Sequence, residues 1–287
     1  MGVRMERSTK GSRLIVGRLC LGALGLAAVL IQGAWAQAPS AKPESTPEPS
    51  AVAPEASAVA KDCGEPKVAV TPLPNSALAL QKHQKIKILA IGSSAAAVLG
   101  MMHDGNPPLL EQILERNIKG LDVEIINRGF SGELAEAASE RLKLEVALNE
   151  PNLVLWQVGA NDAFAQVPVE SFERSVVGTV RWLKEHNVDV ILVGLHYMKQ
   201  LAKNEHYQAI RTSLQRITAA ESVQRVTRYE AMEVLARTLR ESGRPEPRDF
   251  GLTEDGYNCM AQYVARAITV GLFAKPAKHA PQPAPTR

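Results

Sequence analysis

From about residue 85 the chain alternates between short, unbroken apolar runs and longer stretches whose apolar residues recur every three or four positions. The unbroken runs read as strands buried on both faces, and the periodic stretches as amphipathic helices. Lys85–Ile91 (KIKILAI), Asp122–Asn127 (DVEIIN), Asn152–Val158 (NLVLWQV) and Val188–Leu195 (VDVILVGL) predict four strands, and Val223–Arg228 a weaker fifth. Between them lie predicted helices over Leu109–Ile118, Glu133–Leu148, Ser171–His186 and Glu205–Ala220. Two more helices are expected at the end, the last capped by Thr253 with Glu254 and Asp255 in its first turn. The stretch through Pro72-Leu73-Pro74 reads as irregular. Strict strand–helix alternation implies parallel strands joined by right-handed crossovers. The expected fold is α/β: a three-layer αβα sandwich around a five-stranded parallel sheet.

The flanks break this pattern. Arg4, Arg7, Lys10, Arg13 and Arg18 precede an apolar run over Leu19–Gln32, and Ala34-Trp35-Ala36 offers a small-x-small cleavage site. Residues 1–36 therefore read as a signal peptide, with an uncleaved anchor as the alternative. Residues 37–61 are rich in Pro, Ala, Ser and Glu and read as an extended linker; residues 275–287 have the same character. The folded domain is expected over 62–274, outside the cytoplasm, in the periplasm or secreted. The chain has 287 residues and a formal net charge of +3, but the leader carries that excess and the remainder is close to neutral. There is no basic stripe interleaved with aromatics, so no nucleic-acid partner is expected. Once the leader is cleaved, no membrane contact is expected either. Cys20 leaves with the leader. Cys63 and Cys259 remain as an even pair in an oxidising compartment, so a disulfide is expected, with two free thiols as the alternative.

In a parallel sheet, sites form beyond the carboxyl ends of the strands. Strand one ends in Gly92-Ser93-Ser94, strand two in Asn127-Arg128-Gly129-Phe130-Ser131-Gly132, and strand three in Gly159-Ala160-Asn161-Asp162. Each alone is a generic turn. Together they set a hydroxyl nucleophile and polar N–H donors at three successive strand ends, which acyl transfer requires. No metal-ligand spacing and no glycine-rich phosphate loop occurs, and no cofactor is expected.

In this order and spacing, GSS, NRGFSG and GAND resemble blocks I, II and III of the SGNH (GDSL) hydrolase superfamily. Exported alphaproteobacterial SGNH proteins are especially similar. They share the GSS form of block I, the run Trp156-Gln157-Val158-Gly159-Ala160-Asn161, a cysteine before the first strand and the stretch Gly256-Tyr257-Asn258-Cys259. The resemblance covers about 62–274. It implies that Ser94 is the nucleophile, with oxyanion donors from the Ser94 and Gly129 backbone and the Asn161 side chain. Ser93 stands where many members carry Asp.

Block V departs from the pattern. The family carries an Asp and, three residues on, a His shortly before a Gly-Tyr. Here the stretch is Arg248-Asp249-Phe250-Gly251-Leu252-Thr253-Glu254-Asp255-Gly256-Tyr257, with Gly251 or Leu252 in the His position depending on register. A serine hydroxyl without a base is a poor nucleophile. Of the six histidines, His83 and His186 belong to the opposite end of the sheet, His206 opens a helix and His279 lies in the tail. His196, just after strand four, and His103, after Ser94, are the candidate bases, and Asp249 is a candidate orienting carboxylate. The resemblance implies an exported serine ester hydrolase acting on O-acyl or O-acetyl esters of a small molecule or an envelope glycan. The alternative is an inactive SGNH fold that binds a glycan or an envelope partner. The oligomeric state is not legible.

Overall fold

The computed structural model describes Cys63 and residues 70–92, 107–245 and 253–275. Ser94, His103 and Asp249 lie outside the described residues, as do the leader, the linker and residues 276–287.

Five strands form one all-parallel sheet in the order β2-β1-β3-β4-β5: β1 (Ile86–Gly92), β2 (Val123–Gly129), β3 (Leu153–Gln157), β4 (Asp189–Val193) and β5 (Gln224–Val226). The helices are α1 (Pro74–Gln81), α2 (Leu109–Asn117), α3 (Ala135–Asn149), α4 (Ala160–Phe164), α5 (Val169–Glu185), α6 (Glu205–Ala220), α7 (Arg228–Glu241) and α8 (Glu254–Phe273). This is the expected three-layer α/β sandwich. One core gathers Ile86, Ile88, Ala90, Leu153 and Leu155 against α1, α2 and α8. The other gathers Leu89, Ile91, Val154, Trp156 and Leu192 against α3, α5 and α6. Alternate residues of each strand thus enter opposite cores, which is why the central strands are apolar throughout.

The expected irregular stretch at Pro72–Pro74 is instead the entry to α1. Pro74 stands in its first turn, where a missing N–H costs nothing. No side chain of the adjoining residues caps this helix. The cap comes from β4: Asp189 accepts from Asn75 N (3.3 Å), Asn75 Nδ2 (3.0 Å), Ser76 N (2.8 Å) and Ser76 Oγ (2.8 Å). The fifth strand is shorter than its apolar run suggested, and Arg228 opens α7 rather than ending β5. The short helix α4 was also unforeseen, because five residues offer no periodicity to read.

Cys63 and Cys259 form the expected disulfide, with Cα atoms 5.4 Å apart. It ties the start of the domain to α8, and the Tyr263 hydroxyl, one turn further along α8, donates to the Cys63 carbonyl. Among the described residues, no helix is long and apolar enough to cross a membrane.

Candidate active site

The carboxyl ends of all five strands lie level. Gly129 pairs with Gly92, Gly92 with Gln157, Gln157 with Val193 and Val193 with Val226. The strand order reverses between β1 and β3, and crevices for ligands open at such switch points. Adjacent strands are about 4.8 Å apart, so the ends of β2 and β3 flank the end of β1 within about 10 Å. The Gly129 end of β2, the turn into Asn161 and the residue that leads into Ser93-Ser94 therefore meet at one place. His196 follows β4 by three residues, on the same edge and one strand beyond β3.

Glycine is required twice here. Gly92 has φ +110, and a Cβ on it would lie 2.0 Å from the Gln157 carbonyl oxygen. Gly159 has φ +103, and a Cβ there would lie 2.8 Å from Leu195 Cδ1. A side chain at Gly92 would meet the β3 backbone and push β1 away from β3, whereas at Gly159 the positive φ is the firmer constraint. Gly159 lets the chain turn from the end of β3 directly into α4, the short helix that carries Asn161.

Asn161 and Asp162 fasten this turn to the loop after β2. Asn161 Nδ2 donates to the Glu133 carbonyl at 3.0 Å, leaving its second amide hydrogen for another acceptor. Asp162 Oδ1 accepts from Ala135 N at 2.9 Å, at the N-terminus of α3. Asp162 is buried, and burial raises its carboxyl above the usual range, against the lowering effect of that backbone bond. On the neighbouring strand, Gly129 N donates to Asn127 Oδ1 at 3.0 Å. The proposed oxyanion donor thus already holds a side-chain acceptor, and Asn127 must swing aside before Gly129 N can meet a ligand. Phe130 N donates to the Gly92 carbonyl at 3.0 Å, which extends the β1–β2 pairing into the loop.

His196 is half-buried. Burial, and after it the positive charge of Arg228, push its imidazole down to about 4. The ring is therefore neutral at pH 7 and able to accept a proton, but its protonated form is disfavoured. Its backbone is held by Tyr207, whose hydroxyl donates to the His196 carbonyl at 2.5 Å. Arg228, two residues beyond β5, is 2 % exposed, and burial lowers its guanidinium to about 10. Sequence reasoning missed Arg228 because an arginine at a strand end reads as solvated. Arg211 lies 4.0 Å over the Tyr229 ring and pairs with Glu230 at 2.9 Å. Two exposed aromatics on this edge were also missed: Phe130 (66 %) after β2 and Phe164 (50 %) at the end of α4. The one available signal was a bulky apolar residue within a glycine-rich turn, as in Asn127–Gly132. Among the described residues, no cluster of His, Cys, Asp or Glu could hold a metal ion.

A family model described as the non-GDSL lipase-like family matches residues 62–273. Esterase TesA of Pseudomonas aeruginosa is 25% identical over 109 residues, which is 38% of this chain and 53% of that protein. The matched stretch thus spans about half the length of that relative. Among solved structures, an acetylxylan esterase of Geobacillus stearothermophilus, in a catalytic mutant form, superposes with a TM-score of 0.52. It is 18% identical and covers 67% of this chain and 97% of its own. The acetyl xylan esterase AlAXEase gives 0.52 at 17% identity, covering 64% of this chain and 100% of its own. At these identities the structural likeness establishes the shared fold.

Proposed function

The chain belongs to the non-GDSL lipase-like family, within the SGNH hydrolases, and from that premise we propose that it is an exported serine esterase acting on O-acyl or O-acetyl esters. The observation that carries this reading is the level row of strand ends at the switch point. It sets the Gly129 end of β2 and the Gln157 end of β3 on either side of β1, the strand that precedes Ser94 in the chain. In the proposed mechanism Ser94 Oγ attacks the ester carbonyl, and the carbonyl oxygen becomes an oxyanion. The spare Asn161 amide hydrogen, the Gly129 N–H released from Asn127, and the Ser94 N–H hold that charge. His196 takes the proton from Ser94 and passes it to the departing alcohol; water then cleaves the acyl-enzyme by the same route. Asp249 is the proposed orienting carboxylate.

His196 takes the place of the histidine that block V lacks, and its environment sets the expected rate. A base that holds its proton this weakly gives a smaller driving force than one near neutrality. Part of that weakness comes from the cation of Arg228, which opposes the imidazolium that forms during attack. Turnover is therefore expected to be modest. Export agrees with the Cys63–Cys259 bridge, since such bridges persist in oxidising compartments. The acetyl xylan esterases among the structural relatives make acetyl groups on sugars the first substrates to try.

The test is hydrolysis of p-nitrophenyl acetate by the purified full chain beside Ser94→Ala and His196→Ala. Turnover that disappears with Ser94→Ala supports the serine esterase, and its loss with His196→Ala supports the base. The absence of any Ser94-dependent turnover would sink the esterase reading.

A further inference from the structure

A groove of about 470 Å³ runs between α3 and α5, on the flank of the sandwich. That volume is within the range of about 300–1,000 Å³ typical of ligand sites. Both helices follow strands of one parallel sheet, so both run from the carboxyl edge toward the opposite edge. Glu136 and Ser171 thus mark the end nearer the carboxyl edge, and Lys143 and Trp182 the far end. From Ser171 to Trp182 the helix spans about 16 Å.

Gly178 sits inside α5, lines the groove and is exposed. Its φ is not positive, and a Cβ built on it meets nothing within 4 Å. Neither backbone strain nor packing requires a glycine there, although glycine weakens a helix interior relative to alanine. What the missing side chain does is leave room in the groove.

The lining narrows the ligand class. Glu136 and Glu140 are balanced by Lys143 and Arg174, with Lys143 Nζ 2.8 Å from Glu140 Oε1. A polyanion gains nothing from such a surface. The floor is formed by hydroxyls rather than aliphatic side chains. Ser175 Oγ, half-buried, donates to the carbonyl one turn back at 3.1 Å and keeps acceptor lone pairs; Thr179, buried beneath, donates likewise at 2.8 Å. An amphipathic protein helix needs an apolar floor, which is absent among these residues. The far end carries the half-buried indole of Trp182, stacked on His186 with ring centroids 3.9 Å apart. The part of the indole left exposed, beside closely spaced polar groups, suits a ligand with many hydroxyls and apolar C–H groups, which is a sugar ring.

We propose that the groove between α3 and α5 binds a neutral glycan chain, with the exposed part of the Trp182 indole as an apolar contact at its far end and the vacancy at Gly178 as the space the sugar occupies. This site is separate from the proposed catalytic edge and is read by binding, so it stands or falls independently of esterase activity. The experiment is isothermal titration of the full chain with chitotetraose and with xylotetraose, beside Gly178→Gln and Trp182→Phe. At least one probe is expected to bind with a sub-millimolar Kd. Gly178→Gln should weaken binding at least tenfold with an unchanged or higher Tm, because the added side chain fills the groove without strain. Trp182→Phe should weaken it several-fold, and Ser94→Ala should leave it unchanged. Failure of both probes to bind at millimolar concentration would overturn the proposal, as would Gly178→Gln binding like the parent.

Discussion

Single residues on the carboxyl edge differ sharply in how their surroundings treat charge. His196 is the clearest case. Its folded value of about 4 lies below the ordinary 6.5, so the native state binds fewer protons than the unfolded chain between these limits. The stability that His196 contributes is complete above about pH 6.5 and is lost as pH falls through 4. The loss amounts to about 3 kcal/mol. Urea midpoints measured across this window should fall for the parent and fall less steeply for His196→Gln. If His196 is the base, the acid limb of kcat/KM should lie near pH 4 instead of between 6 and 7, because the neutral ring is the active form. Asn161 has two tasks at one amide, the bond to the Glu133 carbonyl and the proposed oxyanion contact. Asn161→Ala is therefore expected to cut kcat by about 10²–10³. Chemical unfolding should show a stability loss of only about 1 kcal/mol for the same variant. Asn161 and Gly129 were legible as site candidates because they sit in polar turns directly after apolar runs. Arg228 and Tyr207 were not, since what marks them is burial, and burial is a property of the packed chain.

Elements were legible wherever the information that starts or stops them is local. The helix Glu205–Ala220 has the predicted bounds, and the adjoining Asn204 caps it by accepting from Tyr207 N at 2.8 Å. Thr253 caps the last helix as expected, accepting from Gly256 N at 3.1 Å. Where the cap comes from afar, the reading failed or shifted. Asp189 caps α1 across 113 or 114 positions, and the predicted irregular stretch is a helix. Asp162 serves the first turn of α3 across 27 positions, and that helix begins at Ala135 rather than Glu133. The remote caps also bind elements to the sheet, so their loss reaches further than one helix end. Asp162→Ala leaves the Ala135 N–H buried without its acceptor and should cost about 1–3 kcal/mol in chemical unfolding. Amide exchange should rise first in the opening turn of α3. At the β1 exit, Gly92→Ala meets both positive φ and the Gln157 carbonyl. It should cost more than about 3 kcal/mol, seen as loss of soluble, cooperatively unfolding protein.

Across the whole molecule, the disulfide joins residues 196 positions apart and closes the domain on itself. Reduction, or Cys63→Ser with Cys259→Ser, should lower stability by about 2–5 kcal/mol, read as a drop in the denaturant midpoint. The sheet should survive, because its strands pack into two cores of which the cysteines are only two of the many buried residues.

What the sequence determined by itself is the fold class, the five parallel strands and the strand-end turns that carry candidate chemistry. Those follow from patterns within a dozen residues, apolar runs against helical periodicity, and every residue needed to read them is adjacent in the chain. Tertiary structure alone decided the level row of strand ends, the remote caps, the neutral state of His196 beside a buried arginine, and the groove left open at Gly178. Each depends on distances between residues far apart in the chain, and on how much water remains around a charge once they meet.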